Sequence, residues 1–297
     1  MGYISAAEAA KKWGVTPRVA RGYCEAGRVE GAFQTGRTWN IPENAEKPAR
    51  KQRKVHAHAT LLERLRAEKA SDMPGGIYHK VQVELAYNSN HIEGSSLTHD
   101  QTRLIFETNT IGFEDGAVNV DDIVETANHF RCVDYIIDNA NRPLTERMIK
   151  QLHLMLKAGT SDSRKPWFVT GDYKQLANEV GGMATTAPGD VPKRMSELLA
   201  KYDDQPAKTL ADLLAFHVEF ERIHPFQDGN GRVGRLILFK ECLRNRIVPF
   251  IIEDDIKLYY YRGLSEWDTE RGYLMDTCLS AQDRFKGYLD YFGIESV

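Results

Sequence analysis

The sequence predicts a mainly α-helical protein with a small, separate module at its N-terminus. Apolar residues recur at steps of three and four through most of the chain after residue 60, which is the period of a helix with one buried face. Turn residues and short apolar stretches are concentrated in two places, residues 29–41 and 178–187. The first 54 residues carry eleven basic and five acidic side chains, although the 297-residue chain has a net charge of −3. We therefore expect a helical domain with one short hairpin, preceded by a basic module.

The basic module begins with two short helices. The capping-box pattern Ser5-x-x-Glu8 starts the first helix, and Gly14 ends it after Trp13. A threonine-proline pair at residues 16–17 then caps and opens the second helix, because proline is well suited to the first helical position. Two short helices joined by a tight turn are typical of a helix-turn-helix unit.

A β-hairpin is predicted directly after the two helices. Its strands are Val29–Phe33 and Arg37–Ile41, joined around Thr35-Gly36. The phrases Gly-Arg-Val-x-Gly-Ala and Gly-Arg-x-Trp-x-Ile-Pro within it resemble those of excisionase-like and MerR-like winged helix-turn-helix proteins. Residues 1–50 are therefore predicted to form such a module.

This resemblance implies that the module binds duplex DNA through its second helix. Arg18 and Arg21 lie at the start of that helix, where a recognition helix contacts DNA. The excess of basic residues is typical of a phosphate-binding surface. The alternative is a solvated module that docks onto another protein.

Residues 51–60 are predicted as a linker and residues 61–297 as one helical domain. The linker is charged and lacks apolar periodicity. His56 and His58 lie in it without a third candidate metal ligand, which favours solvated side chains. Helices are predicted from residue 61 to a break at 73–76, over 77–89, from residue 98, over 121–139, from residue 145, and over 192–202, 210–223, 233–243 and 274–292, the last with Tyr288, Tyr291 and Phe292 buried.

The stretch from His224 to Arg235 has the clearest chemical pattern in the chain. It lies between two predicted helices, because Pro225 ends the first one and Gly229-Asn-Gly231 lies where the second begins. The first amides of a helix have no internal partners. Together with the helix dipole they form a site that binds phosphate.

The polar residues of this stretch complete a site for phosphate chemistry. Arg232 and Arg235 are three residues apart, so they share a helix face and can bind phosphate oxygens. Asp228 can hold a magnesium ion that bridges phosphates. His224 can accept a proton near neutral pH. This combination indicates phosphoryl or nucleotidyl transfer rather than a hydrolase triad.

The glycines of this stretch allow two other interpretations. The pattern Gly229-x-Gly231-x-x-Gly234 matches a dinucleotide-binding fingerprint, but that fingerprint needs a preceding strand. Here a helix precedes it, so this interpretation is rejected. The remaining alternative is a glycine-rich turn with a hydrogen-bonded histidine and solvated arginines. His153 and His217 lie in apolar helices and are predicted as core or supporting residues.

Residues 224–235, His-Pro-Phe-Gln-Asp-Gly-Asn-Gly-Arg-Val-Gly-Arg, resemble the Fic family signature His-x-Phe-x-Asp/Glu-Gly-Asn-Gly-Arg-x-x-Arg at every fixed position. The resemblance extends over about residues 60–290, with the family core at about residues 143–290. It implies a Fic helical bundle with a short β-hairpin flap. It also implies transfer of AMP from ATP to a Ser, Thr or Tyr hydroxyl of a target protein, with Mg²⁺ bound.

The resemblance also implies the site residues. His224 would be the catalytic base and Asp228 the magnesium ligand. The flap near residues 178–187 would hold the target protein as an extended segment, since an open strand edge can pair with one; the alternative is an ordinary surface hairpin. The implied nucleotide-binding residues are Gly229, Asn230, Gly231, Arg232, Arg235 for the γ-phosphate, and Tyr261 for the adenine.

A second motif, Ser89-Asn-His-Ile-Glu93-Gly94, resembles the Fic inhibitory pattern Ser/Thr-x-x-x-Glu-Gly/Asn. It lies N-terminal to the family core, on a helix predicted near residues 77–94. The resemblance implies an ion pair between Glu93 and Arg235. Such a pair withdraws the arginine from the γ-phosphate and places negative charge where phosphate would bind. The alternative is that Glu93 is a surface acid before a glycine helix stop.

The sequence predicts a cytoplasmic protein. It lacks a run of about eighteen apolar residues, which excludes a membrane helix, and it begins without signal-peptide features. The four cysteines are far apart and are predicted to be reduced and mostly buried. Formation of a homo-oligomer stays open.

Three alternatives for the function stay open at this point. The first is a DNA-binding regulator whose Fic domain only senses a nucleotide; the intact His224 argues against it, because a sensor needs no base. The second is a Fic enzyme that uses another nucleotide or a phosphocholine donor, since the motif contacts phosphates rather than the nucleobase. The third is the reverse reaction, removal of AMP.

Overall fold

The computed structural model describes residues 2–36, 38–48, 59–112, 117–204, 207–295 and 297. Contacts divide the chain into two compact units, Met1–Ala57 and His58–Val297. The predicted linker at residues 51–60 lies outside the described residues except for its last two positions, and so do His56 and His58.

The N-terminal unit combines two helices with a three-stranded antiparallel sheet. Its elements are β1 (Tyr3–Ser5), α1 (Ala6–Trp13), α2 (Pro17–Glu25), β2 (Phe33–Thr35) and β3 (Thr38–Pro42). The strand order is β1-β3-β2. Ser5 and Glu8 form the predicted capping box, and a left-handed Gly14 follows α1. The two predicted helices of this unit are therefore confirmed.

The predicted hairpin of this unit is wrong in its first strand. The strand begins at Phe33 rather than Val29, and Val29 is buried in the small core instead. Gly31 has a φ of 76°, a left-handed conformation that interrupts an extended chain. Strand β1 was missed because three residues beside a capping box give too little alternation to reveal it. Arg37, the predicted start of the second strand, lies outside the described residues.

The larger unit is helical, with one two-stranded hairpin. Its helices are α3 (Leu61–Ala70), α4 (Ile77–Ile92), α5 (His99–Thr108), α6 (Val120–Asp138), α7 (Glu146–Lys157), α8 (Val191–Asp203), α9 (Leu210–Ile223), α10 (Asn230–Arg244), α11 (Lys257–Ser265) and α12 (Gly272–Phe292). The hairpin consists of β4 (Glu179–Val180) and β5 (Met183–Ala184). The predicted mainly helical fold with a short hairpin is confirmed. One burial prediction is wrong, because Tyr291 on α12 is 84% exposed.

Helix α10 lies at the centre of this unit. All of its fifteen residues except Gly231 and Arg244 are buried, and it packs against α4, α6, α7 and α9. A helix buried on every side cannot shift without repacking its neighbours. The position of its N-terminus is therefore fixed by the core.

Helix α4 extends beyond the 77–89 that apolar periodicity predicted and agrees with the helix near residues 77–94 that the family resemblance implied. It continues to Ile92, with Glu93 as its C-cap residue and Gly94 following at a φ of 96°. Periodicity alone ended the helix at residue 89, because the residues of its last turn are polar and typical of a loop. Here they are buried and hydrogen-bonded, since Asn88 donates to the Glu84 carbonyl and Asn90 to the Thr126 hydroxyl.

Two predictions about the chain as a whole can be compared with the structure. Among the helices of the described residues, none has the length and apolar character needed to cross a bilayer. All four cysteines are unpaired and buried, as predicted.

Candidate active site

The loop between α9 and α10 is held rigidly by its own hydrogen bonds. His224 follows α9 in a left-handed conformation, with φ 50° and ψ 61°. A non-glycine residue adopts this conformation at a cost of about 1–2 kcal/mol. Two bonds of 2.8 Å join the Asn230 side chain to the amide and the carbonyl of Phe226. These bonds hold the loop in one conformation, and they involve both polar atoms of the Asn230 side chain.

The His224 imidazole is oriented as a neutral base. Its Nδ1 lies 3.3 Å from the Glu221 carbonyl oxygen, and a carbonyl can only accept, so Nδ1 carries the proton. The lone pair is then on Nε2. Burial lowers the pKa of His224 below its ordinary value, and the nearby Lys174 ammonium lowers it further. The ring can therefore accept a proton at neutral pH.

The N-terminus of α10 offers unpaired amides beside this base. Gly229 precedes the helix with a φ of 80°, and no side chain caps the helix start. The amides of Asn230, Gly231 and Arg232 thus lack intrahelical partners. Together with the helix dipole they can bind an anion. Asn230 contributes its backbone amide to this set, while both polar atoms of its side chain bond to Phe226.

A buried charge network lies under the loop. Lys157 is 2% exposed and donates to Asp162 at 2.9 Å, to Asp228 at 2.7 Å, and to Glu125. Arg232 is 5% exposed and pairs with Glu125 and, at 3.1 Å, with Asp228. Burial lowers the pKa of Arg232 to about 10. Alternating charges around Glu125 and Asp228 hold both cations in place.

Asp228 fits a magnesium ligand. Its side chain is 49% exposed, and both cations that it contacts use Oδ2, which leaves Oδ1 for a metal. The described residues contain no group of three His, Cys, Asp or Glu side chains placed to hold a metal ion. Mg²⁺ in nucleotide sites uses one or two carboxylates, with phosphates and water as its other ligands. A single carboxylate is therefore sufficient here.

The residues of the predicted inhibitory motif contact Arg235. Glu93 accepts a 2.6 Å bond from Nη2 of Arg235. Ser89 accepts two further bonds from the same guanidinium, through its hydroxyl at 3.0 Å and its carbonyl at 2.9 Å. A Cβ added at Gly231 would overlap the same carboxylate oxygen of Glu93. The carboxylate therefore lies against the N-terminal turn of α10 as well as on Arg235.

A second, deeper carboxylate lies near Arg235. Glu221 has one oxygen shielded from solvent and without a hydrogen-bond partner in the described chain, 3.9 Å from Nε2 of His217. His217 also hydrogen-bonds the buried Tyr260 hydroxyl at 2.5 Å. Burial raises the pKa of Glu221 to about 8, against the opposing effect of Arg235. Glu221 is therefore mostly protonated at neutral pH.

His153 supports the loop, as the sequence predicted for a buried histidine. Its Nδ1 accepts from the Gly171 amide at 2.9 Å, so its Nε2 donates to the Asp228 carbonyl at 3.2 Å. Its ring stacks on Phe226 with the ring centroids 4.0 Å apart. Burial lowers the pKa of His153 to about 4, so the ring stays neutral.

The other predicted contacts border the site. The Tyr261 hydroxyl donates to the Ile92 carbonyl at 3.5 Å, and its ring is 43% exposed beside the end of α4. The hairpin β4–β5 turns through Gly181 and Gly182, both with positive φ, as a two-residue hairpin turn favours. Val180 and Met183 on this hairpin are exposed.

Sequence reasoning missed four residues of this region. Lys157, Glu125, Glu221 and Lys174 are each buried or shielded beside the loop, yet none belongs to a recognisable motif. Lys157 and Glu125 lie on amphipathic helices, where charged residues usually face solvent. The one available signal was the position of Glu221, three residues before His224.

The fold and the site define a helical domain that can bind an anionic ligand beside a histidine base. Residues 143–241 match the family model described as the Fic/DOC family. A Fic domain containing signaling protein from Bacteroides thetaiotaomicron has a similar structure, with a TM-score of 0.57 and 25% identity, covering 78% of this chain and 91% of that one. A Fic family protein from Desulfovibrio desulfuricans shares the fold, with a TM-score of 0.58 and 23% identity, over 77% of this chain and 72% of that one.

Curated relatives with a similar sequence are also Fic proteins. A protein adenylyltransferase Fic from Drosophila grimshawi is 26% identical over 244 residues, which cover 75% of this chain and 48% of the relative. The chain thus spans about half the length of the first curated relatives that it matches. Together, these matches support membership of the Fic family.

Proposed function

We propose that this protein is a protein adenylyltransferase that transfers AMP from ATP to a Ser, Thr or Tyr hydroxyl of a target protein. The observation that carries the proposal is the position of His224, whose Nε2 has no hydrogen-bond partner among the described residues, in the loop that leads into the unpaired amides of α10. The activity named for the Drosophila grimshawi relative supports it. Phosphates would bind the amides of residues 229–232 and Arg235, and the exposed ring of Tyr261 would contact the adenine.

In the proposed reaction, His224 Nε2 takes the proton of the target hydroxyl. The hydroxyl oxygen forms a bond to the α-phosphorus, and the bond from that phosphorus to the bridging oxygen of the β-phosphate breaks. AMP remains attached to the hydroxyl oxygen of the target protein, and pyrophosphate leaves. Asp228 would hold Mg²⁺, which neutralises phosphate charge when bound. The target segment would pair with the open edge of the hairpin β4–β5.

We also propose that Glu93 inhibits this activity within the same chain. Its carboxylate engages Arg235 and lies against Gly231, so it competes with phosphate for a cation and for the helix N-terminus. ATP would then bind in a pose unsuited to in-line attack.

The test is label transfer from ATP labelled at the α-phosphate. We expect the Glu93→Gly protein to label itself and proteins in a cell lysate, and His224→Ala in that background to abolish labelling. Parallel reactions use UTP, GTP and CDP-choline. Labelling from one of these instead would identify another donor. ATP binding without any labelling would favour a nucleotide sensor, and release of AMP from pre-labelled protein would identify the reverse reaction.

A second proposed function is DNA binding by the N-terminal unit, as a winged helix-turn-helix. Arg18 and Arg21 are exposed on α2, and neither has an ion-pair or hydrogen-bond partner in the described part of the chain. Two unpaired guanidinium groups on one helix suit phosphate contact. A mobility-shift titration of the full-length protein on duplex DNA at low salt tests this. We expect Arg18→Ala with Arg21→Ala to remove binding, and the exposed Lys11→Ala to retain it. Absence of binding by the wild type would refute DNA contact.

A further inference from the structure

Lys174 is a buried cation with only neutral partners in the described residues. It is 3% exposed, and its ammonium donates to Asn178 Oδ1 at 2.7 Å, to the Thr185 hydroxyl at 2.6 Å and to the Ile223 carbonyl at 3.4 Å. Burial lowers its pKa to about 8. Burying a charge without a counter-ion costs free energy. The presence of a lysine at position 174 therefore needs a physical explanation.

Two of these bonds close the base of the hairpin β4–β5. Asn178 lies directly before β4, and Thr185 lies directly after β5. The two residues also bond each other, through the Thr185 amide to the Asn178 carbonyl at 3.3 Å and through the Thr185 hydroxyl to the Asn178 side chain. The Lys174 ammonium is therefore part of the clasp that joins the two ends of the hairpin.

The same residue is bonded to the chain on both sides of His224. Its ammonium donates to the Ile223 carbonyl, and its backbone amide donates to the Pro225 carbonyl at 2.9 Å. Asn178 adds a bond of 3.1 Å to the Phe226 carbonyl. Through these bonds, Lys174 joins the hairpin directly to the backbone that carries the imidazole.

We propose that Lys174 is a positioning residue that fixes the hairpin β4–β5 relative to His224 and supplies positive charge that keeps this imidazole neutral. The first role sets the distance between a segment bound on the hairpin and the base. In the second role, Lys174 adds to burial, which is the main cause of the lowered pKa of His224, and it opposes the Glu93 and Asp228 carboxylates, which raise that pKa. The catalytic meaning of both roles rests on the proposed adenylyltransferase activity, but the contacts themselves can be tested without it.

The first experiment measures amide hydrogen exchange in the full-length protein. We expect Lys174→Met to speed exchange at residues 176–186 by at least tenfold, because the clasp is lost, while amides in α10 keep their protection. Thr185→Val is the matched control, since it removes the hydroxyl bonds to Lys174 and Asn178 but keeps the charge and the Lys174 bonds to Asn178 and Ile223; we expect a smaller increase at the same residues. If Lys174→Met folds and leaves hairpin exchange unchanged, the positioning role is wrong.

The second experiment measures the titration of His224 by NMR, with its resonance assigned through His224→Ala. Removal of the Lys174 charge should raise the pKa of His224, whereas Lys174→Arg and Thr185→Val should leave it close to that of the wild type. An unchanged titration in Lys174→Met would refute the electrostatic role. In the Glu93→Gly background, the acidic limb of self-labelling should move in parallel to higher pH. If the hydrogen-exchange and titration results are as expected but no labelling occurs, the proposed adenylyltransferase activity is wrong and the role of Lys174 stands.

Discussion

The Glu93 carboxylate accepts a 2.6 Å hydrogen bond from Arg235 and lies where a Cβ on Gly231 would have to be. One acidic side chain thus contacts two elements of the candidate anion site, the guanidinium and the N-terminal turn of α10. Ser89 holds the same guanidinium from the preceding turn of α4. The contact is formed between two helices that pack side by side, so the end of α4 lies against the start of α10.

The first prediction concerns this contact. We expect Glu93→Gly to raise the rate of self-labelling at least tenfold. Glu93→Gln should raise it less, since an amide oxygen can still accept from Arg235 but carries no charge. Arg235→Ala should remove the gain in a double variant. The measurement is label incorporated against time at saturating ATP, and equal rates for Glu93→Gly and the wild type would rule out inhibition by Glu93.

The second prediction concerns the buried acid Glu221. Because its folded pKa is raised to about 8, the folded chain retains a proton that the unfolded chain releases above about pH 4.5. Its contribution to stability is therefore lost as pH rises from about 4.5 to 8, at up to about 1.4 kcal/mol per pH unit.

Glu221→Gln should remove this pH dependence, as measured by urea unfolding between pH 5 and 8. Glu219→Gln, a change on the same helix at a more exposed position, is the control and should keep the wild-type slope. Parallel stability curves for the wild type and Glu221→Gln would contradict the assignment of a neutral Glu221.

The third prediction concerns the charge network below the loop. Lys157→Met should lower the free energy of unfolding by about 3–5 kcal/mol, because it leaves the Glu125 and Asp228 carboxylates short of a buried partner. The neighbouring Lys165 also pairs with Asp162 but is 44% exposed. Lys165→Met should change stability by less than about 1 kcal/mol. Urea unfolding of both variants at pH 7 is the measurement, and equal effects would show that the network contributes little.

The fourth prediction concerns the pH dependence of the proposed reaction. Burial and Lys174 lower the pKa of His224, so the base stays neutral to a lower pH than a free imidazole would. The acidic limb of self-labelling by Glu93→Gly should therefore be centred below the ordinary imidazole pKa of about 6.5. A pH–rate profile in a constant-ionic-strength buffer measures this, and an acidic limb centred above pH 6.5 would exclude the lowered pKa.

Much of the fold could be predicted because its signals are local. The bounds of α9 follow from apolar periodicity and Pro225, and those of α1 follow from a capping box and Gly14. Predictions failed where local chemistry gave the wrong signal. Periodicity alone ended α4 too early because its last turn is polar but buried, and Gly31 interrupts a stretch that alternates like a strand.

The sequence by itself determined the helical class of the larger unit, the motif from His224 to Arg235, and, through a family resemblance, the pairing of Glu93 with Arg235 of that motif. Only the tertiary structure decided which charged residues support the site. Lys157 and Glu125 are 32 residues apart, and Lys174 lies 49 residues from Ile223. Periodicity reports which face of a helix is buried, but not which distant group faces it. The burial and pairing of these charges follow from packing around α10, which no local pattern encodes.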